Sequence, residues 1–258
     1  MLRQRQFGNV TVDWAEPTVA IVEFARPPLN YVDPLLLGEI ADAYEWCEES
    51  LARVIVVCSA GKHYCAGAQL SADESDPVAR IRATYAQALR LFQCGIPVVA
   101  AVQGAAVGAG LGLACSADLR VAASTTRFVA NFSLLGTHPG FGLTVTLPAI
   151  VGDQHALDLF YTSRPVDGIE ARTLGLCDVL SESDDVRSVA VALATRIATT
   201  APLAVRQIKR TLRGDLHDRV ADALQREIAA QEVLGATTDH REGIAAMIER
   251  RAARFIGS

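Results

Sequence analysis

"IPVVAAVQGAAVGAGLGLACSADLRVAA", residues 96–123, has no charged side chain until Asp118. Its first part, "PVVAAV" at 97–102, is a β-branched burst suited to a strand buried on both faces. "GAGLGLACSA", 108–117, reads as a turn leading into a tightly packed helix. Two other readings fail on the residues. Positions 97–117 are uncharged and long enough to cross a bilayer, but Pro97 opens the run, Gln103-Gly104 interrupts it, and four glycines leave it weakly apolar. A dinucleotide fingerprint needs a third glycine where Leu113 stands and an acid further on, where the chain has Asn131 and Phe132.

Working outward, "VTVDW" and "TVAIVEF" predict two strands around a turn at "AEP". Residues 33–50 predict an amphipathic helix with Asp33 as N-cap and Pro34 in the first helical position. "VIVVCS", 54–59, predicts a buried strand. A polar loop follows, then a helix over 77–93. "DLRVAAS" and "TRFVANF" read as short strands, and "GTHPGFGLTVTLPAIVG" as a punctuated turn and a short helix. Beyond residue 152 the spacing is mostly helical, in four segments that run through "TDHREGIAAMIERRAARF". Strands alternating with helices, then a helical third, predict an α/β domain with parallel buried strands and a helical appendage.

The chain has 258 residues, half of them hydrophobic and 21% charged, with a formal charge of −5, enough for a sizeable core. The acidic balance, with a pI near 5.6, argues against a general nucleic-acid binder. "MLRQRQFGNVTVDW" lacks a signal-peptide apolar core, so a cytoplasmic location is expected, with no membrane partner. The six cysteines are scattered without a CxxC pair; reduced thiols and no metal site are expected. No G-x-S-x-G elbow or HExxH is present.

Three segments in order resemble the crotonase superfamily, the enoyl-CoA hydratase/isomerase-like enzymes. They are "HYCAGAQL" at 63–70, the 96–123 stretch, and "RFVANFSLLGTHPGFGLTVTLPAIVG" at 127–152. "RPPLN" at 26–30, "GLCDVL" at 175–180 and "ERRAARFIG" at 249–257 fall where that family has similar strings. The resemblance implies an α/β spiral of β-β-α turns over 1–195 and a helical trimerisation region over 196–258. It implies a homotrimer or homohexamer. It also implies an acyl-CoA thioester as ligand, with coenzyme A arriving as part of the substrate and no permanently bound cofactor. The shared device is a pair of backbone amides gripping the thioester oxygen, here those of Ala68 and Ala109. Such donors stabilise developing negative charge, and a helix start favours an anion. Arg26, Ala66, Leu70, Gly108 and Phe255 are the implied coenzyme contacts. Phe132 and Phe141, with Leu143, are candidate walls of the acyl pocket.

The same resemblance implies two glutamates around a catalytic water. Their positions here are Gly112 and Phe132, neither of which can give or take a proton. His138 is the expected replacement, since histidine titrates near neutral pH; the plainer reading has it pointing to solvent or capping its own turn. His63 is expected to pack, Cys65 to be a small buried residue, Asp118 to satisfy backbone amides, and Asp73, Glu74 and Asp76 to be solvated. The expected function is an acyl-CoA enzyme with an oxyanion hole and a non-standard acid/base set, performing hydrolysis, decarboxylation or isomerisation. The alternatives are an inactive acyl-CoA-binding protein and a structural subunit of a mixed oligomer.

Overall fold

The structure, a computed structural model, describes residues 4–68, 77–182 and 185–258. Three antiparallel strands open it: β1 (Arg5–Phe7), β2 (Val10–Glu16) and β3 (Val19–Phe24). The β2–β3 turn falls at Pro17 and Thr18, slightly later than "AEP" predicted. From β3 the sheet continues in parallel through β4 (Val54–Ser59), β5 (Val98–Val102), β7 (Leu119–Ala123) and β10 (Val179–Ser181). A smaller sheet holds β6 (Ala105–Val107), β8 (Arg127–Val129) and β9 (Pro165–Asp167).

Every residue of β4 and β5 is buried, as parallel strands covered on both faces must be. Side chains alternate between two cores. Ile55, Val57, Val98, Ala100 and Val102 face one, beneath α1 (Pro34–Glu49) and α2 (Pro77–Leu91). Val54, Val56, Cys58, Val99 and Ala101 face the other, closed by α7 (Val186–Ala198) through Val186, Ala190, Ala194 and Ala198. The four-residue spacing of those contacts keeps them on one helical face. Asp33 caps α1, its carboxylate accepting the Leu36 amide at 2.8 Å.

The 96–123 stretch divides into β5, β6, α3 (Ala109–Ser116) and β7. Among the described residues no single helix is long and apolar enough to cross a membrane. The later chain adds a 3-10 turn (Ser133–Leu135), α4 (Leu143–Val151), α5 (Asp153–Thr162), α6 (Gly168–Leu174), α8 (Pro202–Arg213), α9 (Leu216–Gly235) and α10 (Thr238–Glu249).

The region beyond 152 is mostly helical, as expected, and also contains β9 and β10, three-residue strands too short to show a period-2 pattern. One expectation needs correction. The last helix stops at Glu249: Arg250 turns left-handed at φ 55°, and "RRAARF" runs on as a non-helical tail. α7 crosses the expected boundary at 195. The helices beyond it pack back on the core, α9 against α2 and α4, and α10 against the 133–135 turn.

Candidate active site

The connections leaving β3, β4 and β5 meet at the carboxyl edge of the parallel strands, where open α/β sheets bind their ligands. Asn30 ties them together. It is buried with φ 52°, a conformation asparagine tolerates better than most residues. Its amide nitrogen donates to the carbonyls of Ala60 and His63, both at 2.8 Å, and its oxygen accepts the Arg26 amide at 2.8 Å. Gln103 donates to the Ser59 carbonyl at 2.8 Å from the next connection.

Residues 64–68 are thereby laid between two backbones. On one side Tyr64 N donates to Gln103 O, Cys65 N to Ala105 O, and Val107 N to Cys65 O. On the other, Ala66 N donates to Leu29 O and Val32 N to Gly67 O. Among the described residues no backbone acceptor is bonded to the Ala68 amide. The Ala109 amide lies in the first turn of α3, where no intrahelical acceptor exists. The two segments touch closely. A methyl group on Gly110 would lie 2.2 Å from the Cys65 carbonyl oxygen, and one on Gly67 would lie 3.3 Å from the Val107 carbonyl oxygen. The small residues of "CAGA" and "GAGLG" are therefore a steric requirement of this backbone contact.

Beneath Ala109, one turn along α3, stands Gly112. A methyl group there would lie 2.6 Å from Cβ and Cγ of Phe141. Phe141 is buried in the left-handed region at φ 63°, which costs a bulky residue roughly 1–3 kcal/mol. Its turn is held from α9. The buried Glu227 carboxylate accepts the amides of Gly142 (2.9 Å) and Thr144 (3.1 Å) and the Thr144 hydroxyl (2.6 Å). Gln231, one turn later, donates to the His138 carbonyl at 2.8 Å, while its oxygen accepts the Tyr85 hydroxyl at 3.1 Å. Burial pushes the Tyr85 phenol upward, so it serves as a neutral donor.

His138 is half-buried, and its Nδ1 lies 2.7 Å from the Pro139 carbonyl oxygen. Because a carbonyl only accepts, Nδ1 carries the proton and Nε2 keeps a lone pair in the neutral ring. Phe132 is buried edge-on to Phe160, with ring centroids 6.5 Å apart. The Arg26 guanidinium pairs with Asp33 at 2.7 Å. Burial raises the Asp33 carboxyl, but bonds from Arg26 and the Leu36 amide outweigh it and hold the group below its usual range. Gly108 donates to Val129 O at 2.9 Å, with φ 52°. Phe255 is 42% exposed on the terminal tail. Leu70, Asp73, Glu74 and Asp76 lie outside the described residues.

The lesser candidates separate cleanly. Cys65 is fully buried and its thiol is pushed up to about 12 by that burial, which leaves no thiolate for attack near neutral pH. His63 packs beside Gly104. Asp118 sits at the opposite edge of β5, accepting the Val98 amide (2.7 Å) and pairing with Lys209 and Arg213, both at 2.8 Å. A cavity of about 550 Å³ near that edge, lined by Cys94, Ser116, Arg206, Lys209 and His217 among others, is separate from the amide pair.

Sequence reasoning missed Gln103, Tyr85, Glu227 and Gln231 and gave Asn30 no role. One signal was available: Glu227 and Gln231 recur at i,i+4 on the α9 face that also carries Val220, Leu224 and Ile228. Polar residues on a buried stripe imply partners elsewhere.

Unbonded backbone amides of this kind are donors for an oxygen that gains negative charge. A family profile described as enoyl-CoA hydratase/isomerase matches residues 15–258. The crotonyl-CoA hydratase of Syntrophomonas wolfei subsp. wolfei is 32% identical over 257 residues, covering 97% of this chain and 98% of that protein. A probable enoyl-CoA hydratase of Mycobacterium bovis is 31% identical over 241 residues, covering 92% and 94%. The crystal structure of an enoyl-CoA hydratase/isomerase from Pseudoalteromonas atlantica T6c superposes with a TM-score of 0.84 at 29% identity, covering 96% of this chain and 100% of that one. With its α/β crotonase fold, this chain belongs to the enoyl-CoA hydratase/isomerase family.

Proposed function

We propose that the chain is an enzyme acting on an acyl-CoA thioester, whose carbonyl oxygen accepts hydrogen bonds from the Ala68 and Ala109 amides. The observation that carries this reading is the free amide at the start of α3 set against the 64–68 segment. Each such donor is worth about 2.7–4 kcal/mol to a transition state that places charge on oxygen, and the helix start adds to it. The pantetheine arm runs along the backbone of Ala66. The adenine stacks on Phe255, and Gly108 keeps the approach open. Coenzyme A enters and leaves with the substrate.

Positions 112 and 132 carry no carboxylate. The chemistry is therefore one in which the amide pair stabilises an enolate or tetrahedral oxyanion and no glutamate pair delivers water: decarboxylation, isomerisation or hydrolysis. Decarboxylation fits best, because loss of carbon dioxide leaves the enolate directly and needs no base. His138 Nε2, free of the bond that engages Nδ1, is proposed to take a proton from solvent and to return it from the imidazolium to the α-carbon, leaving the ring neutral again. The Phe141 ring packed at Gly112 and the absence of a carboxylate at Phe132 favour a second reading, a protein that binds acyl-CoA without turning it over.

Incubation of wild type and His138→Ala with enoyl-, β-keto- and malonyl-type CoA thioesters, followed by mass spectrometry, separates these readings. The enzyme reading predicts a mass change with one class, loss of 44 Da for decarboxylation, slowed about 10²–10⁴-fold in the variant. Tight binding without turnover across the panel would establish the binder.

A further inference from the structure

Ala109 and Gly112 lie on one face of α3, three residues and so about 4.5 Å apart along the axis. That distance is the reach of only a few methylene groups. The face is bare at Gly112, and the Phe141 ring fills the vacancy, within 2.6–2.8 Å of where a β-carbon would stand. Phe141 is held there from several directions at once. Its left-handed backbone lies between Gly140, where a methyl group would strike the Tyr85 hydroxyl at 1.7 Å, and Gly142, where one would strike Val220 at 2.7 Å. Glu227 and Gln231 grip the turn on either side. A strained, buried aromatic over-determined by two helices points to function.

We propose that Phe141 is the end wall of the acyl pocket and the residue that sets its substrate class: short-chain acyl thioesters. This rests on the thioester reading of the amide pair given above. An acyl group whose oxygen is bound at Ala109 and whose chain follows the bare face of α3 meets the ring one turn on. A longer chain has to displace a side chain that is 1% exposed and clamped by its own backbone. Tyr85, Glu227 and Gln231 then act as positioning residues for that wall.

Isothermal titration of wild type, Phe141→Ala and Phe141→Leu with butanoyl-CoA and octanoyl-CoA tests the wall. Wild type is expected to bind the short thioester at least tenfold more tightly. The variants are expected to reverse that preference, Ala more than Leu, by about tenfold or more. Leu keeps most of the apolar volume and supplies a folded variant should Ala unfold. Wild type binding octanoyl-CoA as tightly as butanoyl-CoA, or a preference unmoved in a folded variant, overturns the wall while leaving the thioester reading intact. Wild type binding neither thioester overturns the thioester reading, and the wall with it.

Discussion

At Gly112 and Phe141 one residue lacks a side chain and the other fills the space it leaves. Adding even a methyl group at Gly112 brings it to 2.6 Å from the ring, well inside van der Waals contact. Gly112→Ala is therefore expected to destabilise the protein by about 1–3 kcal/mol through overpacking, although alanine is the better helix former by about 1 kcal/mol. Phe141→Ala is expected to cost about 3–5 kcal/mol. Because the two side chains compete for one space, the double variant should cost clearly less than the sum, as urea denaturation of all four proteins would measure. Strict additivity would mean that the two positions do not share this volume. The glycine was legible in the sequence, at a position where the crotonase resemblance implies a glutamate. Its partner was not, because Phe141 lies 29 positions away, in a turn whose left-handed residue no periodicity reveals.

Among the elements, those with strong local signals were read closely. α1 has its Asp33 cap and Pro34 start as expected, and β4 spans the predicted 54–59. The missed elements are those whose order comes from distant partners. β9 pairs with β8 and β10 with β7, and the tail after α10 is folded back by Asp239, which accepts the Ile256 and Gly257 amides at 2.8 Å. The turn before α4 depends on Glu227 in the same way. Glu227→Ala would strand two amides and a hydroxyl at a helix start and is expected to lower stability by about 3 kcal/mol or more, read by thermal or urea unfolding. No measurable loss would show that the carboxylate does not support α4. The tail has a pH signature. The Arg251 side chain, then the Arg254 amide, hold Glu242 down from its ordinary 4.5 to about 2. A depressed carboxyl contributes its full stability above the ordinary value and loses it as pH falls towards 2. The Arg254 amide resonance should therefore titrate with a midpoint near 2; a midpoint near 4.5 would mean that the pair does not form in solution.

Across the whole molecule, α8 is oriented against the usual rule. Its Lys209 and Arg213 turn inward to Asp118, Lys209 also to the Ile96 carbonyl before β5 and Arg213 to carbonyls at the end of α3. On a neighbouring face Ile208 and Leu212, one turn apart, stand 58% and 76% exposed. A surface helix normally buries its apolar stripe, so this face fits self-association through the C-terminal helices. Light scattering is expected to give a trimer or hexamer for wild type and a smaller species for Ile208→Glu/Leu212→Glu; a monomeric wild type would contradict it. Whether backbone amides hold the oxygen of a thioester can be read at Ala109. Its place at the first position of α3 tolerates proline, which removes the N–H and puts a methylene where the oxygen would sit. Turnover of the preferred acyl-CoA by Ala109→Pro should fall about 10²–10³-fold with the melting temperature nearly unchanged. Turnover at the wild-type rate in a folded Ala109→Pro protein would show that the Ala109 amide does not hold the oxygen.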